Sequence, residues 1–281
     1  MCFKIQTVRY LEYLSPGISE DFFDMIKQYL DIETGRQSVL SHEELLNGWS
    51  VDDDPFSVNN VDVAFVESSY FLELVKKKDK FVQLCSAAPV HLHSRTQNKP
   101  YYFSDIVVHS DKISRYKELN DLRGYRWAYN EENSLSGCLI VLAELNRMGT
   151  GSYFFGNILQ SGSHLNSINM ILDNIVDAAA IDSTVLNTFK KLNPNQAAKL
   201  HTLESLGPLP IHPIVFNRRL PACFKKKITK ALLEMNRKPL WKSHLLEFDV
   251  TGFVPIDISL YNLELQIKEE VKFTRLRPTY Y

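Results

Sequence analysis

The stretch GYRWAYNEENSLSGCLIVLAEL, residues 124–145, contains the pattern from which the fold prediction starts. The apolar and aromatic residues at its beginning predict a buried β-strand, and the leucines at its end recur at helical spacing. Between strand and helix lies NSLSG, residues 133–137, with hydroxyl groups at Ser134 and Ser136. Gly137 lacks the Cβ that would otherwise hold a ligand oxygen at a distance. A strand that leads directly into a helix is the unit from which α/β folds are built.

A second hydroxyl-rich helix start follows in SGSH, residues 161–164. It lies between a predicted strand at residues 153–158 and an amphipathic helix, and it places Ser163 and His164 in the first turn. A helix start exposes unpaired backbone N–H groups and a partial positive charge, which together favour an anion. Two such starts after parallel strands lie at the same edge of a sheet. They therefore predict an oxyanion site, although simple N-capping by serine is the alternative.

Strands and helices alternate along the rest of the chain. Further strands are predicted at residues 6–11, 61–66, 81–88 and 101–108 and in the VDAAAID run that ends at Asp182, and further helices after Ser19, at 69–80 and at 224–235. This alternation predicts an α/β fold with mainly parallel sheets flanked by helices. The proline-rich segment GPLPIHPIV, residues 207–215, predicts an extended crossover between two lobes, with YFSDIVV as its earlier counterpart. No internal repeat is predicted.

Bulk composition narrows the class of protein. The chain of 281 residues has a formal net charge of −1, so no global charge attracts nucleic acid or an acidic membrane. No apolar run approaches the roughly 20 residues needed for membrane insertion. Charged residues interrupt the first dozen positions, which argues against a secretory signal. Four scattered cysteines without metal-ligand spacing predict reduced thiols. Together these features predict a cytoplasmic protein, or a periplasmic one only if an N-terminal signal has been removed.

Signatures of catalysis or cofactor binding are weak. The segment GTGSYFFG, residues 149–156, has its third glycine too far along for a dinucleotide loop. His91 and His93 could share a metal on one side of an extended segment, but no acid or cysteine follows nearby. Neither a metal nor a cofactor is predicted, and no catalytic residue is assigned.

The chain resembles a known family through a series of landmarks in family order. They run from about residue 60 to 235 and comprise VDVAFV with ESSYF, PYYFSDIVV, DLRGYRWAYNEENSLSG, SGSHLNSI, VDAAAIDSTVL and LGPLPIHPIV. They are similar to the substrate-binding component of phosphate and phosphonate ABC transporters, which has the type II periplasmic binding-protein fold. The resemblance implies two lobes that clamp a small phosphonate or phosphate-like oxyanion, with lobe 1 at residues 1–107 and 213–281 and lobe 2 at 108–212.

The resemblance also implies a set of ligand-binding residues. Those that grip the phosphonate or phosphate group lie at the two helix starts: Ser134, Ser136, Gly137, Ser163 and His164. Beside them it implies the strand tyrosine Tyr102 with its neighbour Tyr101, and Asp182 to hold an amino group of the ligand. The opposite lobe would contribute the residues after the VDVAFV strand: Ser68, Ser69 or Tyr70.

One departure from the family pattern bears on the ligand. Leu135 stands where the family often has a threonine, so one donor is lost. A small anion is the predicted partner. A transporter permease is not predicted, because no export signal is recognised. Two alternatives remain: a cytoplasmic enzyme of cofactor biosynthesis on the same fold, of the thiamine-pyrimidine type, and an interaction protein with a vestigial cleft.

Overall fold

The computed structural model describes residues 7–15, 17–43, 54–77 and 80–276, and it has an α/β fold. In chain order, strands β1 to β12 are Val8–Glu12, Ser38–His42, Val63–Phe65, Val82–Leu84, Ala87–His91, Tyr101–His109, Arg126–Tyr129, Asn157–Gln160, Ala178–Asp182, Leu200–Pro210, Ile214–Asn217 and Val250–Pro255. Helices α1 to α9 are Glu20–Thr34, Ser68–Lys76, Ile140–Arg147, His164–Leu172, Ser183–Leu192, Pro194–Ala197, Ala222–Glu234, Pro239–Glu247 and Asn262–Glu270. A π-helical turn, Leu135–Leu139, leads into α3.

The chain divides into two compact units. The first comprises Met1–Tyr101 and Pro210–Tyr261, and the second comprises Tyr102–Leu209 and Asn262–Tyr281. Sequence reasoning placed the boundaries after residues 107 and 212 and assigned the whole tail to the first lobe.

The C-terminal tail differs from that expectation because it is bound to α3 of the second unit. The guanidinium of Arg147 forms an ion pair with Glu270 at 2.8 Å, and the Asn146 amide donates to the Thr274 hydroxyl at 3.1 Å. Beyond residue 220 the sequence predicted only the helix at residues 224–235. That was wrong, because α8, β12 and α9 follow α7.

The sheet of the first unit has the strand order β2-β1-β3-β11-β4. Strand β1 is parallel to β2 and β3, whereas β11 is antiparallel to both β3 and β4. A separate antiparallel pair joins β5 to β12. The predicted strand at residues 81–88 is thus two strands that belong to different sheets. The run of apolar residues continues through the break, so burial alone could not reveal it.

The sheet of the second unit has the order β10-β6-β9-β7-β8. Strand β7 is parallel to its neighbours β8 and β9, and β6 is antiparallel to β9. Both large sheets are therefore mixed, not mainly parallel as predicted. Strand direction was not available from the sequence because a buried strand is apolar in either direction.

Each unit fixes the start of one parallel strand, β1 or β7, to the neighbouring strand with the same kind of ion pair. In the first unit, the backbone N and Nε of Arg9 donate to Asp62 Oδ2 at 2.9 and 3.0 Å, and Nη2 donates to Oδ1 at 2.8 Å. In the second, Arg126 uses the same atoms toward Asp177, at 3.0, 2.9 and 3.1 Å. A carboxylate bound at both oxygens by one arginine holds the two strands in register.

The recurrence extends to the turn before the acid. Nη1 of each arginine donates to the carbonyl of an asparagine three residues before the aspartate, Asn59 in one unit and Asn174 in the other. Both asparagines have a left-handed backbone, with φ of 59° and 57°. The order β2-β1-β3-β11 also matches β8-β7-β9-β6 in pairing direction. The two units thus repeat the same strand arrangement, ion pair and turn. Few residues are identical between them, and the sequence predicted no repeat.

The cysteines differ from the sequence prediction. Cys85 and Cys138 are free and buried, but Cys223, at the start of α7, is disulfide-bonded. Burial raises the pKa of the Cys85 thiol to about 11 and that of Cys138 to about 12, so both stay protonated. Sequence spacing alone gives no signal for such a bond.

None of the described helices combines the length and the apolar character that a membrane span requires. The 15-residue α1 has several charged side chains, including Glu20 and Asp21 in its first turn.

The ion pair in the second unit predicts an acid-dependent loss of stability. Burial would raise the pKa of Asp177, but hydrogen bonds from Arg126 and Lys112 outweigh it and lower the pKa to about 2 from 3.8. Its contribution, on the order of 1–2 kcal/mol, is present above the unfolded-state pKa and is lost as the pH falls from about 4 to about 2. We expect Asp177→Asn to lower the urea midpoint at neutral pH, with the difference from wild type shrinking through that window.

The exposed Asp173 provides the control for this substitution. Asp173→Asn removes the same charge from the same unit and should leave the pH dependence of the urea midpoint close to that of the wild type. Equal pH profiles for wild type and Asp177→Asn would show that the ion pair does not stabilise the fold.

The thiol assignments predict a specific alkylation pattern. After unfolding without reductant, iodoacetamide should modify the peptides that contain Cys85 and Cys138 but not the peptide that contains Cys223. Reduction before alkylation should expose Cys223, and peptide mass mapping reads out each site. Modification of Cys223 without reduction would contradict the disulfide.

Candidate anion-binding site

Three helices of the second unit begin at one edge of its sheet. Strands β8, β7 and β9 are adjacent and parallel, so their carboxyl ends coincide at that edge. The turn at Leu135–Leu139 follows β7, α4 follows β8 and α5 follows β9. Strand β6 runs the other way, so Ser104 near its beginning lies opposite Asp182 at the end of β9.

Ser134 caps the first helix start. Its Oγ accepts a hydrogen bond from Gly137 N at 3.1 Å. Because the hydroxyl accepts in this bond, its hydrogen remains able to donate to another group. N-capping and ligand binding, which sequence reasoning treated as alternatives, are therefore compatible at this residue.

A hydrogen bond joins the first helix start to the second. Ser136 Oγ lies 3.1 Å from His164 Nε2, and Ser104 Oγ donates to the Ser136 carbonyl at 2.6 Å. Ser136 is buried, whereas His164 is partly exposed. The sequence identified both residues but could not show that they touch, because they are separated by 28 positions.

Ser163 caps the second helix start in the same way as Ser134. Its Oγ accepts from Asn166 N at 3.1 Å, which again leaves the hydroxyl hydrogen able to donate. The preceding residue of the turn, Gly162, is left-handed with φ of 82°. The two motifs that the sequence singled out thus share one capping geometry.

Asp182 caps the third helix start. Its Oδ1 accepts from Thr184 N and from Thr184 Oγ1, each at 2.7 Å. Beside it, Phe103 N donates to Ser183 Oγ at 3.0 Å. The predicted role of Asp182, which is to hold an amino group of the ligand, stays a prediction.

Asn130 is a residue of this edge that sequence reasoning missed. A Cβ built on Gly137 would lie 1.8 Å from Asn130 Oδ1 and 3.1 Å from His164 Cε1. The sequence interpretation was that Gly137 leaves room for a ligand oxygen, but that room is taken by the Asn130 amide and the His164 ring. Asn130 directly follows β7, and a lone asparagine in a polar turn gave no signal by which to find it.

The first unit fills the corresponding edge with its own carboxylate. Strand β1 is the counterpart of β7, and Glu12 at its end is fully buried. Glu12 Oε2 accepts from Leu14 N and Ser15 N at 2.8 and 3.0 Å, and Oε1 is hydrogen-bonded to His42 Nδ1 at 2.9 Å. Because a negative group already occupies these donors, the second unit is the candidate for the predicted anion site.

The remaining predicted ligand residues lie in or near the first unit. Ser68, Ser69 and Tyr70 form the first turn of α2 and are buried. Tyr101 is the last residue of the first unit before the chain crosses, and the buried Tyr102 is the first residue of the second. Their contacts with a ligand stay predictions.

Comparison with known families gives one match that covers most of the chain. The model of the family described as ABC transporter, phosphonate, periplasmic substrate-binding protein matches residues 11–261. A search of curated proteins gave no match.

Several solved structures have a similar fold. PhnD1 from Prochlorococcus marinus, in complex with methylphosphonate, has a TM-score of 0.76 and 16% identity over 95% of this chain and 98% of that one. The binding protein component of an ABC phosphonate transporter from Pseudomonas aeruginosa gives 0.70 and 18%, over 94% and 87%. XAC2383 from Xanthomonas citri, bound to ATP, gives 0.63 and 16%, over 95% and 97%. At these identities the likeness concerns the fold, and it confirms the predicted type II periplasmic binding-protein class.

The contact between Gly137 and Asn130 predicts a non-additive effect on stability. Gly137→Ala should lower the free energy of unfolding by about 1–3 kcal/mol, because the new methyl group displaces the Asn130 amide. In an Asn130→Ala background the same change should cost less, since the main obstacle is gone. Urea unfolding of the two single variants and the double variant measures the coupling. An equal cost in both backgrounds would refute the contact.

Proposed function

The chain belongs to the family of periplasmic phosphonate-binding proteins of ABC transporters, and we propose that it binds a small phosphonate or phosphate-like oxyanion at the helix starts of its second unit. Ser134, Ser136, Gly137, Ser163 and His164 surround the anion in this proposal. Binding by a solute-binding protein requires no covalent step, so each residue acts by donating hydrogen bonds or by shaping the site.

The observation that supports the site most strongly is the hydrogen bond between Ser136 and His164. It brings two helix starts together, so their partial positive charges and first-turn N–H groups act on one point. The hydroxyl groups of Ser134 and Ser163 add donors, because each oxygen already accepts from its own helix. Hydroxyl and amide donors at two converging helix starts are suited to the several oxygens of a phosphonate or phosphate.

The expected affinity follows from the number of donors. A hydrogen bond to a charged group contributes about 1.5–3 kcal/mol net. Four such bonds supply roughly 6–12 kcal/mol before the cost of immobilising the ligand, and a micromolar dissociation constant corresponds to about 8 kcal/mol. Micromolar or tighter binding is therefore within reach of this set of residues without a lysine or arginine.

In this proposal the other predicted residues contact the organic part of the ligand. Tyr101 and Tyr102 would contact the substituent on phosphorus, and Asp182 would hold an amino group where the ligand has one. From the first unit, the α2 start would contribute Ser68, Ser69 or Tyr70. Leu135, in place of a hydroxyl residue, leaves one donor fewer and favours a ligand with a small apolar substituent such as a methyl group.

No observation favours the enzyme of cofactor biosynthesis or the interaction protein.

Two features bear on the cellular compartment. The disulfide at Cys223 is typical of an oxidising compartment, and the family is described as periplasmic. We therefore propose an extracytoplasmic location, in place of the cytoplasmic one expected from sequence, with a transporter permease as the partner that receives the ligand.

The proposal predicts binding of methylphosphonate and its loss in a double variant. Isothermal titration of the wild type with methylphosphonate and with inorganic phosphate should show saturable binding. Replacing both Ser134 and Ser136 by alanine removes two donors to the anion, and we expect the affinity to fall at least about 100-fold. The exposed Ser114 of the same unit provides the control, and Ser114→Ala should bind as the wild type does. Unchanged affinity in the double variant would place the anion elsewhere.

A further inference from the structure

Four cations of the first unit lie together at the start of β4. Arg219 Cζ is 3.8 Å and Lys80 Nζ is 5.4 Å from the centre of the Phe81 ring. Arg218 N donates to the Phe81 carbonyl at 2.6 Å, and Lys225 Nζ donates to the Arg218 carbonyl at 3.3 Å. Lys80, Arg218, Arg219 and Lys225 are therefore neighbours, and we refer to them as the basic cluster.

The protein does not balance the charge of the basic cluster. None of its four cations forms an ion pair with a carboxylate of the described residues, whereas other lysines of the same unit do, such as Lys27 with Asp31 at 3.0 Å. Burial and the nearby charge of Arg218 lower the pKa of Lys225. Because like charges repel one another, an approaching anion gains from all four cations at once.

The side chains of the basic cluster are available to a partner. Lys80, Arg218 and Arg219 are exposed, and Lys225 is half-buried. Backbone carbonyls hold the two arginines without using all of their donors. Arg218 donates through Nε to the Val82 carbonyl at 2.9 Å, and Arg219 donates through Nη1 to carbonyls of the turn after residue 55. The described contacts leave Nη1 and Nη2 of Arg218 and Nη2 of Arg219 able to donate.

The sequence concentrates positive charge in the same region. Residues 217–230, NRRLPACFKKKITK, contain six cations and no acid, although the chain has a formal net charge of −1. The absence of a global attraction to an acidic membrane therefore does not extend to this surface.

The form of the basic cluster favours a fluid anionic surface over a folded protein as its partner. A stable protein interface usually has an apolar, well-packed centre. The basic cluster has cations around one half-buried ring and provides no such centre. Lipid headgroups move laterally, so their phosphates can reach each cation without fixed positions, and phosphate accepts charge-assisted hydrogen bonds from guanidinium and ammonium groups.

We propose that the basic cluster is a docking surface for a membrane that contains anionic phospholipids, whose headgroup phosphates accept hydrogen bonds from Lys80, Arg218, Arg219 and Lys225. Docking is peripheral, weak and reversible, because each basic side chain near an anionic bilayer contributes little by itself. This role goes beyond the proposed function, since the anion site belongs to the second unit. It raises the concentration of the protein next to the membrane in which a permease lies.

The test is sedimentation of the full chain with vesicles. The wild type should bind vesicles that contain phosphatidylglycerol and not vesicles of phosphatidylcholine alone. We expect the partition coefficient of the double variant Lys80→Glu, Lys225→Glu to fall at least about 10-fold. The exposed Arg237 and Lys242 of the same unit provide the control. Changing both of them to glutamate lowers the net charge equally and should reduce binding less than about 2-fold.

Three outcomes would overturn the proposal. They are a wild type that does not bind the anionic vesicles, equal binding by the cluster variant and the control variant, and binding of soluble poly-L-glutamate without binding of vesicles. The last result would assign the basic cluster to an acidic protein surface. Methylphosphonate titration of the cluster variant should match the wild type, which keeps this test separate from that of the anion site.

A second measurement covers the case in which the glutamate variant does not fold. The milder double variant Lys80→Gln, Lys225→Gln removes the two charges without reversing them and should also weaken vesicle binding. For the wild type, raising the salt concentration from about 0.05 M to about 0.5 M should release the protein from anionic vesicles, because salt screens the attraction. Vesicle binding that persists unchanged at the higher salt concentration would also overturn the proposal.

Discussion

The parallel pairing of β7 with β8 and β9 is the constraint on which the candidate site depends. It brings three strand ends to one edge of the sheet, and each strand leads there into a helix. Residues separated by dozens of positions then become neighbours, as Ser136 and His164 do at 3.1 Å. The Arg126–Asp177 ion pair supports this pairing from the opposite ends of the strands, since the arginine begins β7 and the aspartate directly precedes β9. The candidate site, at the carboxyl ends of these strands, is thus positioned by contacts at their amino ends.

The two units share one strand arrangement, but the ends of the corresponding strands β1 and β7 differ. Both contain the arginine–aspartate pair at the start of that strand. In the first unit Glu12 accepts from the N–H groups of Leu14 and Ser15, so a carboxylate of the protein already satisfies these donors. The second unit has Tyr129 three residues after its arginine, where the first has Glu12. Without a carboxylate at this position, the end of β7 suits the external anion that we propose there.

Sequence reasoning identified the elements of the site better than their geometry. Hydroxyl groups ahead of amphipathic helices gave Ser134, Ser136, Ser163 and His164, because capping chemistry is local and leaves a local signal. The alternation of strands and helices gave the α/β class for the same reason. Strand direction, the break at Cys85 and the C-terminal elements were missed, since they depend on pairing between distant segments. Asn130 escaped notice because its importance arises from packing against Gly137, a contact that no periodicity encodes.

The position of Asn130 also illustrates how a binding site differs from a core. A core residue with the same burial would have its amide fully paired, because leaving one buried polar group unsatisfied costs about 1–3 kcal/mol. The serines of this edge avoid that cost, since their oxygens accept from the helix that they cap. Asn130 does not, so the site as a whole is less stable than its packing would allow. Because the unpaired atom is the acceptor Oδ1, only a group that carries a hydrogen-bond donor could recover this deficit.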